Sequence, residues 1–437
     1  MRILLICALD VWSLDAGKGA PTLERTLRTY SDAGHTIDAV VPDIGANHFY
    51  DAGKERATGE SRPAIANVRF HPFHMPSLRD LPLPSLPRAI DMLDQKLRFA
   101  AAFPCLAAKR AEKLLRNSSQ PFDLIYAYEV HGVLAARLLR RRGFGLPLVA
   151  RFQGTVMHSA LRDRVQYYRR YEEAVALKTR ADLYIMTDDG TRGDEVLARL
   201  NAHSRGRTKF WRNGLDLDHL RAATNGERSE ARRDLAIADD AFVMLTASRL
   251  ATWKRVDRAI RALPRVRAWA PHAMLLVVGD GEERARLEAL ARSLGVSAAV
   301  RFAGAVPQRD VARYMHASDV FLAVADLSNV GNPLLEAMAC GMCIVAIDAG
   351  DTPKLIVDNV TGRLVDSSQR SGFVKPLEER LADLLVALAA DSEMRARLGA
   401  AAASYAREHF RTWDQRMAEE VAAVSALVPS RSAVGAR

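Results

Sequence analysis

Asp326-Leu-Ser-Asn-Val-Gly-Asn-Pro-Leu-Leu-Glu-Ala-Met-Ala-Cys-Gly-Met-Cys-Ile-Val-Ala346 is the stretch that decides the fold. The apolar run leading into it, 320–324, reads as a buried strand that breaks into a small polar loop containing Gly331. Pro333 then opens an amphipathic helix, at a position where its missing N–H and fixed φ do no harm. A strand, a glycine-containing loop and a helix N-terminus together predict an anion site, because backbone N–H groups and the helix dipole point into the loop. Glu336 stands about one turn into the helix, where a carboxylate can accept two hydroxyl hydrogen bonds from a ribose. The simpler alternative is a plain strand–turn–helix of a doubly wound sheet.

The segment resembles the donor-site loop of GT-B glycosyltransferases of the family 4 (group 1) type. Those enzymes carry paired glutamates there, the first eight residues before the second; here the second is Glu336 and Ser328 stands at the first position. In the family the first Glu holds hydroxyls of the transferred sugar and the second holds the nucleotide ribose. The resemblance therefore implies a nucleotide contact at Glu336 and a sugar contact at Ser328, with Asp326 or Asn329 as substitutes. Val330, Gly331, Asn332, Leu334 and Leu335 belong to the same implied nucleotide-sugar site.

At 437 residues the chain is long for one core and suits two domains. Its 49% hydrophobic and 26% charged content is that of a soluble globular protein. No apolar run is long enough to span a bilayer. The opening Met1-Arg-Ile-Leu-Leu-Ile-Cys-Ala8, followed by Asp10 and Trp12, is too short for a signal peptide and reads as the first buried strand of a cytoplasmic protein. Cys7, Cys105, Cys340 and Cys343 form no disulfide framework. Cys340 and Cys343 have CxxC spacing but no second pair, and read as small buried thiols. The formal charge of +10 calls for a phosphate-bearing partner such as a nucleotide or an anionic membrane face. Without a zinc-finger or RNA-binding aromatic signature, nucleic acid is not expected. The arginine clusters 137–142 and 162–170 equally suit solvated helix faces.

Short apolar runs alternate with helical patterns through both halves. Strands are predicted at 3–8, 36–41, 124–127, 148–152 and 183–186, then at 242–247, 274–278, 300–303, 320–324 and 344–347, with a helix over 22–33 closed by Gly34. This is the sequence form of βαβ units, and it predicts an α/β chain of two doubly wound, Rossmann-like domains with a cleft between them. The boundary is placed after Asn213-Gly-Leu-Asp216, giving 1–217, 218–403 and a tail helix over 404–437. By the resemblance that tail crosses back onto the first domain. Asp216-Leu-Asp218 has the form of a metal-binding DxD but lies in a turn, and is not taken as a metal site. The amphipathic, basic segment 97–115 predicts either a helix packed on the first sheet or a membrane-surface helix.

Sugar transfer from a nucleotide diphosphate, the activity the resemblance implies, needs fixed positive charge against the departing phosphate. Ser248-Arg-Leu-Ala-Thr-Trp-Lys254 follows strand 242–247 and opens a helix, which places Arg249 and Lys254 at the C-terminal edge of the second sheet. The pair resembles the family's Arg/Lys pair, the arginine forking onto phosphate oxygens and the lysine acting as a point charge. Arg255 stands where the family usually has glycine. Gly279 and Asp280 follow strand 274–278, and the base is expected near 302–307, including Val306, with uridine and guanosine both open. Gly17, Lys18 and Gly19 resemble the family's glycine-rich loop facing the diphosphate, or form an ordinary turn. On the acceptor side, Asp123-Leu-Ile-Tyr-Ala-Tyr-Glu-Val-His131 resembles the family's strand and loop, leaving Tyr128, Glu129 and His131 as polar candidates. Gln153 stands where the family commonly has His.

The expectation is a retaining, metal-independent glycosyltransferase with no cofactor, using a UDP- or GDP-linked sugar as co-substrate. Arg249, Lys254 and Glu336 are its implied catalytic residues. Family habit makes the acceptor a glycan or lipid-linked glycan, met in the cytoplasm or at the inner membrane face. The alternative is a catalytically silent nucleotide-sugar-binding subunit of a glycan-synthesis complex.

Overall fold

The computed structural model describes residues 1–9, 11, 21–43, 64–76, 94, 96–367 and 375–428; Gly17, Lys18 and Gly19 lie outside them. The chain divides into two compact units, Met1–Asp188 with Arg192–Asn213 and Trp413–Arg437, and Asp189–Thr191 with Gly214–Thr412.

The first unit carries β1 (Arg2–Cys7), β2 (Thr36–Pro42), β3 (Val68–Phe73), β4 (Leu124–Tyr128), β5 (Leu148–Phe152), β6 (Leu183–Thr187) and β7 (Thr208–Trp211). They pair in parallel in the order β3-β2-β1-β4-β5-β6-β7. Every residue of β4, β5 and β6 is buried, as expected of central parallel strands covered on both faces. The helix Glu129–Arg141 lies close over β1, because a Cβ at Gly132 would fall 2.3 Å from the Ile6 carbonyl oxygen.

The helix Phe103–Asn117 buries Phe103, Ala107, Ala108 and Ala111 in the core of this unit. Its apolar face is therefore used within the unit, as the packed alternative for 97–115 expects. Among the described residues no helix is long and apolar enough to cross a membrane.

The tail differs from the expected helix over 404–437. Residue 404 falls inside the helix Ser392–His409 of the second unit, and the chain changes unit between Thr412 and Trp413. The following helix, Trp413–Ser425, buries Trp413, Met417 and Val424 and brings Glu420 into the first unit's interior. There Glu420 pairs with Arg151, accepts from the Tyr126 hydroxyl at 2.6 Å and pairs with Arg416 at 3.0 Å. Burial raises the Glu420 pKa, but Arg151 and Arg416 outweigh it and hold the carboxyl below its ordinary value.

The second unit carries β8 (Val243–Ala247), β9 (Met274–Val278), β10 (Val300–Gly304), β11 (Val320–Ala323), β12 (Cys343–Ile347) and β13 (Arg363–Val365). All pairings are parallel, in the order β10-β9-β8-β11-β12-β13. The order reverses direction between β8 and β11, the point where open α/β sheets leave a crevice beyond their strand ends.

Candidate functional site

At that reversal, beyond the C-terminal ends of β8 and β11, lies a cavity of about 30 Å³ whose lining includes Ser248, Lys254, Ala325, Asn329, Pro333 and Leu334. Lys254 ends a single helical turn, Thr252–Lys254, that follows β8. Its ammonium stands 4.1 Å from the centre of the Trp253 ring and has no hydrogen bond or ion pair among the described residues. Burial pushes its pKa down to about 8, with Asp189 pulling weakly the other way. Arg249 does not join it in the cavity lining; it is exposed and pairs with Glu282 at 3.1 Å.

The loop bearing these cations is held by backbone contact with the turn after β9. Leu250 N donates to Asp280 O at 2.9 Å, and Ser248 N to Val278 O at 3.0 Å. Gly279 has φ +125°, and a Cβ there would lie 1.9 Å from the Ser248 carbonyl oxygen. Only glycine allows this approach. Arg255 takes φ 52° and ψ 38°, a left-handed conformation that accounts for a glycine preference at this position. Its guanidinium bonds Asp257 at 3.0 Å and Asp326 at 3.3 Å, and Arg258 holds Asp326 at 2.7 Å.

That pairing bears on the sugar contact. Asp326 is engaged by two arginines. Asn329 accepts from Ala325 N at 2.9 Å and donates to Ile347 O at 3.1 Å, so both substitutes for the first motif glutamate are committed to the loop's own structure. Ser328 donates to Asp189 O at 2.7 Å and accepts from Val330 N at 3.1 Å. It is packed against Gly190 and Gly350, and faces backbone rather than the cavity.

The helix Asn332–Ala339 begins as expected, with Pro333 in its first turn and Leu334 against the cavity. Its anion site is less open than the sequence suggests. Val330 N donates to Ser328 Oγ, Gly331 N to Asn329 O, and Leu334 N and Leu335 N both to Gly331 O. The dipole remains, but these four amides are already engaged.

Glu336 is 3% exposed and accepts from Gln308 Nε2. Burial raises its pKa to about 7; the Gln308 bond lowers it, and Asp216 adds a smaller upward push. Gln308 starts the helix Gln308–Ala317 directly after the loop containing half-buried Val306. It joins the expected base region to the expected ribose residue. Sequence reasoning missed it, since a lone Gln after Pro307 reads as a helix start and the pairing spans 28 residues.

In the first unit, Tyr128, Glu129 and Gln153 come together at the C-terminal ends of β4 and β5. Gln153 Nε2 donates to the Tyr128 hydroxyl at 2.7 Å and to Thr22 Oγ1, and Gln153 N donates to Glu129 Oε1 at 2.7 Å. Glu129 has φ 63°, a strained value for a residue with a side chain, of the kind that gathers at functional sites. His131 instead packs edge-on to Phe99 and Phe103, and burial lowers its pKa to about 4. It is neutral at physiological pH and half-buried beside these core aromatics.

Residues 227–405 match the family described as glycosyl transferases group 1. A GDP-mannose-dependent monoacylated alpha-(1-6)-phosphatidylinositol monomannoside mannosyltransferase of Corynebacterium glutamicum is 31% identical over 208 residues, 46% of this chain and 51% of the relative. The chain thus spans about half the length of the curated relatives it matches. Among solved structures, Anabaena Alr3699/HepE in complex with UDP and glucose aligns over 97% of this chain and 99% of that one, with TM-score 0.66 and 20% identity. WaaG, a glycosyltransferase involved in lipopolysaccharide biosynthesis, aligns over 96% and 99%, with TM-score 0.65 and 17% identity. The fold is that of the GT-B glycosyltransferases.

Proposed function

We propose that this protein is a retaining, metal-independent glycosyltransferase that moves a sugar from a UDP- or GDP-linked donor to a glycan or lipid-linked acceptor. Lys254 is the observation that carries the reading. A half-buried ammonium beside a cavity at the sheet's switch point, without an anion of its own, is a costly arrangement that a diphosphate would relieve. The cation stabilises the charge that grows on the departing diphosphate, and the dipole of the helix Asn332–Ala339 adds to it. Glu336 takes the ribose hydroxyls after exchanging its Gln308 partner, and the base lies against the loop that includes Val306. Arg249 reaches phosphate oxygens once it leaves Glu282. In a retaining transfer the leaving phosphate oxygen accepts the acceptor's proton as the new glycosidic bond forms, so no separate base is required. Tyr128, Glu129 and Gln153 hold the acceptor.

Support comes from the similarity to a GDP-mannose-dependent enzyme with a lipid acceptor and to a fold relative holding UDP and glucose. The acceptor is met at the inner membrane face by a peripheral protein. Nucleotide release from UDP- and GDP-sugars tests the proposal. Lys254→Ala should lower kcat at least about 100-fold with a smaller rise in donor KM, and EDTA should leave wild-type turnover intact. Unchanged kcat in Lys254→Ala, or abolition by EDTA, contradicts it.

The committed state of Ser328, Asp326 and Asn329 favours a second reading, a nucleotide-sugar-binding subunit without turnover. Donor binding with no nucleotide release, with or without acceptor, would select it.

A further inference from the structure

Eight large apolar side chains are exposed among the described residues, and four of them fall in one region of the first unit: Leu97 (49%), Val165 (61%), Tyr168 (73%) and Tyr171 (49%). Val165 and Tyr168 lie on the short helix Arg164–Arg169, which contributes no buried residue to any core. Tyr171 begins the next helix, whose inward face is Glu173, Ala174, Ala176 and Leu177. Lys96 donates from its ammonium to Arg169 O at 3.0 Å, which brings the neighbouring Leu97 to the same edge.

The charges around these side chains are one-sided. Arg162, Arg164, Arg169 and Arg170 are all exposed, and none forms an ion pair among the described residues. Of the nearby acids, Asp163 is spent capping the helix through Val165 N and Gln166 N, Glu173 is buried against Thr155, and Glu172 is half-buried. Folding does not require this arrangement, because Tyr167 is the side chain that packs this helix against the core, while Val165 and Tyr168 stay in water and gain nothing there. Tyrosines and aliphatic side chains interleaved with unpaired arginines fit the boundary between lipid headgroups and acyl chains. There the rings sit at headgroup level and the guanidiniums meet lipid phosphates.

We propose that the edge formed by Leu97, Val165, Tyr168 and Tyr171 with Arg162, Arg164, Arg169 and Arg170 docks on an anionic bilayer surface. This specifies the peripheral location proposed above and rests on no residue of the donor site, so the two fail separately.

The test is co-sedimentation of the full chain with vesicles of phosphatidylcholine alone or with about 30 mol% phosphatidylglycerol, in low and high salt. The wild type should bind the anionic vesicles at least about tenfold more tightly, with most of the difference lost in high salt. Arg164→Glu/Arg169→Glu should lose at least about tenfold, and Tyr168→Ser a smaller amount, both with wild-type thermal unfolding and UDP or GDP binding. Equal binding to the two vesicle types overturns the proposal, as does anionic-vesicle binding that survives charge reversal. A wild type that self-associates through this edge, shown by a mass that falls in the charge-reversed variant without a change in vesicle binding, overturns it in favour of a contact between copies.

Discussion

Replacing Lys254 by methionine should stabilise the empty protein while weakening its donor affinity about tenfold. In the folded chain the Lys254 pKa stands at about 8, against 10.5 for the free side chain, because burial strips water from the ammonium. A shift of about 2.5 units costs about 3 kcal/mol at pH below 8, and losing the contact with Trp253 returns part of that when the charge is deleted. A net gain of roughly 1–3 kcal/mol is left, or a Tm rise of several degrees for a domain of this size. The sign follows from proton linkage. A lysine whose folded pKa is depressed binds more protons when unfolded, so wild-type stability rises with pH between about 8 and 10.5 and the methionine variant lacks that rise. Thermal unfolding from pH 7 to 10, without nucleotide, measures both. Added UDP or GDP should then raise the wild-type Tm more than the variant's. A variant that is less stable than wild type at pH 7, or that is stabilised by nucleotide as much as wild type, would refute the reasoning.

Three further outcomes follow from the geometry. Glu336 has a folded pKa raised to about 7, so it stabilises the fold at low pH and loses that contribution as pH rises from its ordinary value through 7; Glu336→Gln should flatten that decline in denaturant titrations while weakening UDP or GDP binding about tenfold or more. Ser328→Glu should lower Tm and impair donor binding generally, because the longer side chain has no room between Gly190 and Gly350 and the bonds to Asp189 O and Val330 N are lost; a changed sugar preference at wild-type stability would show that position 328 faces the sugar. Glu420→Gln should cost about 3–5 kcal/mol by leaving Arg151 and Arg416 buried without a counter-charge, and urea titration with a loss under about 1 kcal/mol would contradict that.

The central strands were legible because parallel strands buried on both faces leave unbroken apolar runs, as in β4, β5, β8 and β12. β3, β7 and β13 were not anticipated, and each is the edge of its sheet. Half-exposed Val68–Phe73 carries Pro72, Thr208–Trp211 mixes polar with aromatic residues, and Arg363–Val365 is too short to show a period. At the candidate site, the family resemblance picked out Lys254, Gly279 and Glu336, and of these Lys254 lines the cavity. Side-chain direction was beyond that resemblance. Nothing local to Arg249 announces Glu282, nothing near Asp326 announces Arg258, and the Gln308–Glu336 bond joins two helix starts that meet only in the folded sheet. His131 read as polar because its neighbours Phe99 and Phe103 come from a distant helix.

The central claim is that the donor's diphosphate sits on the Lys254 ammonium, and calorimetric titration of the UDP- or GDP-sugar at pH 7 and pH 9 tests it most directly. With the free-state pKa at about 8, the amine is mostly charged at the lower pH and mostly neutral at the higher, so affinity should fall about tenfold between them. Lys254→Arg, charged at both, should show little change. Equal wild-type affinity at the two pH values, or the same fall in the arginine variant, would place the diphosphate elsewhere.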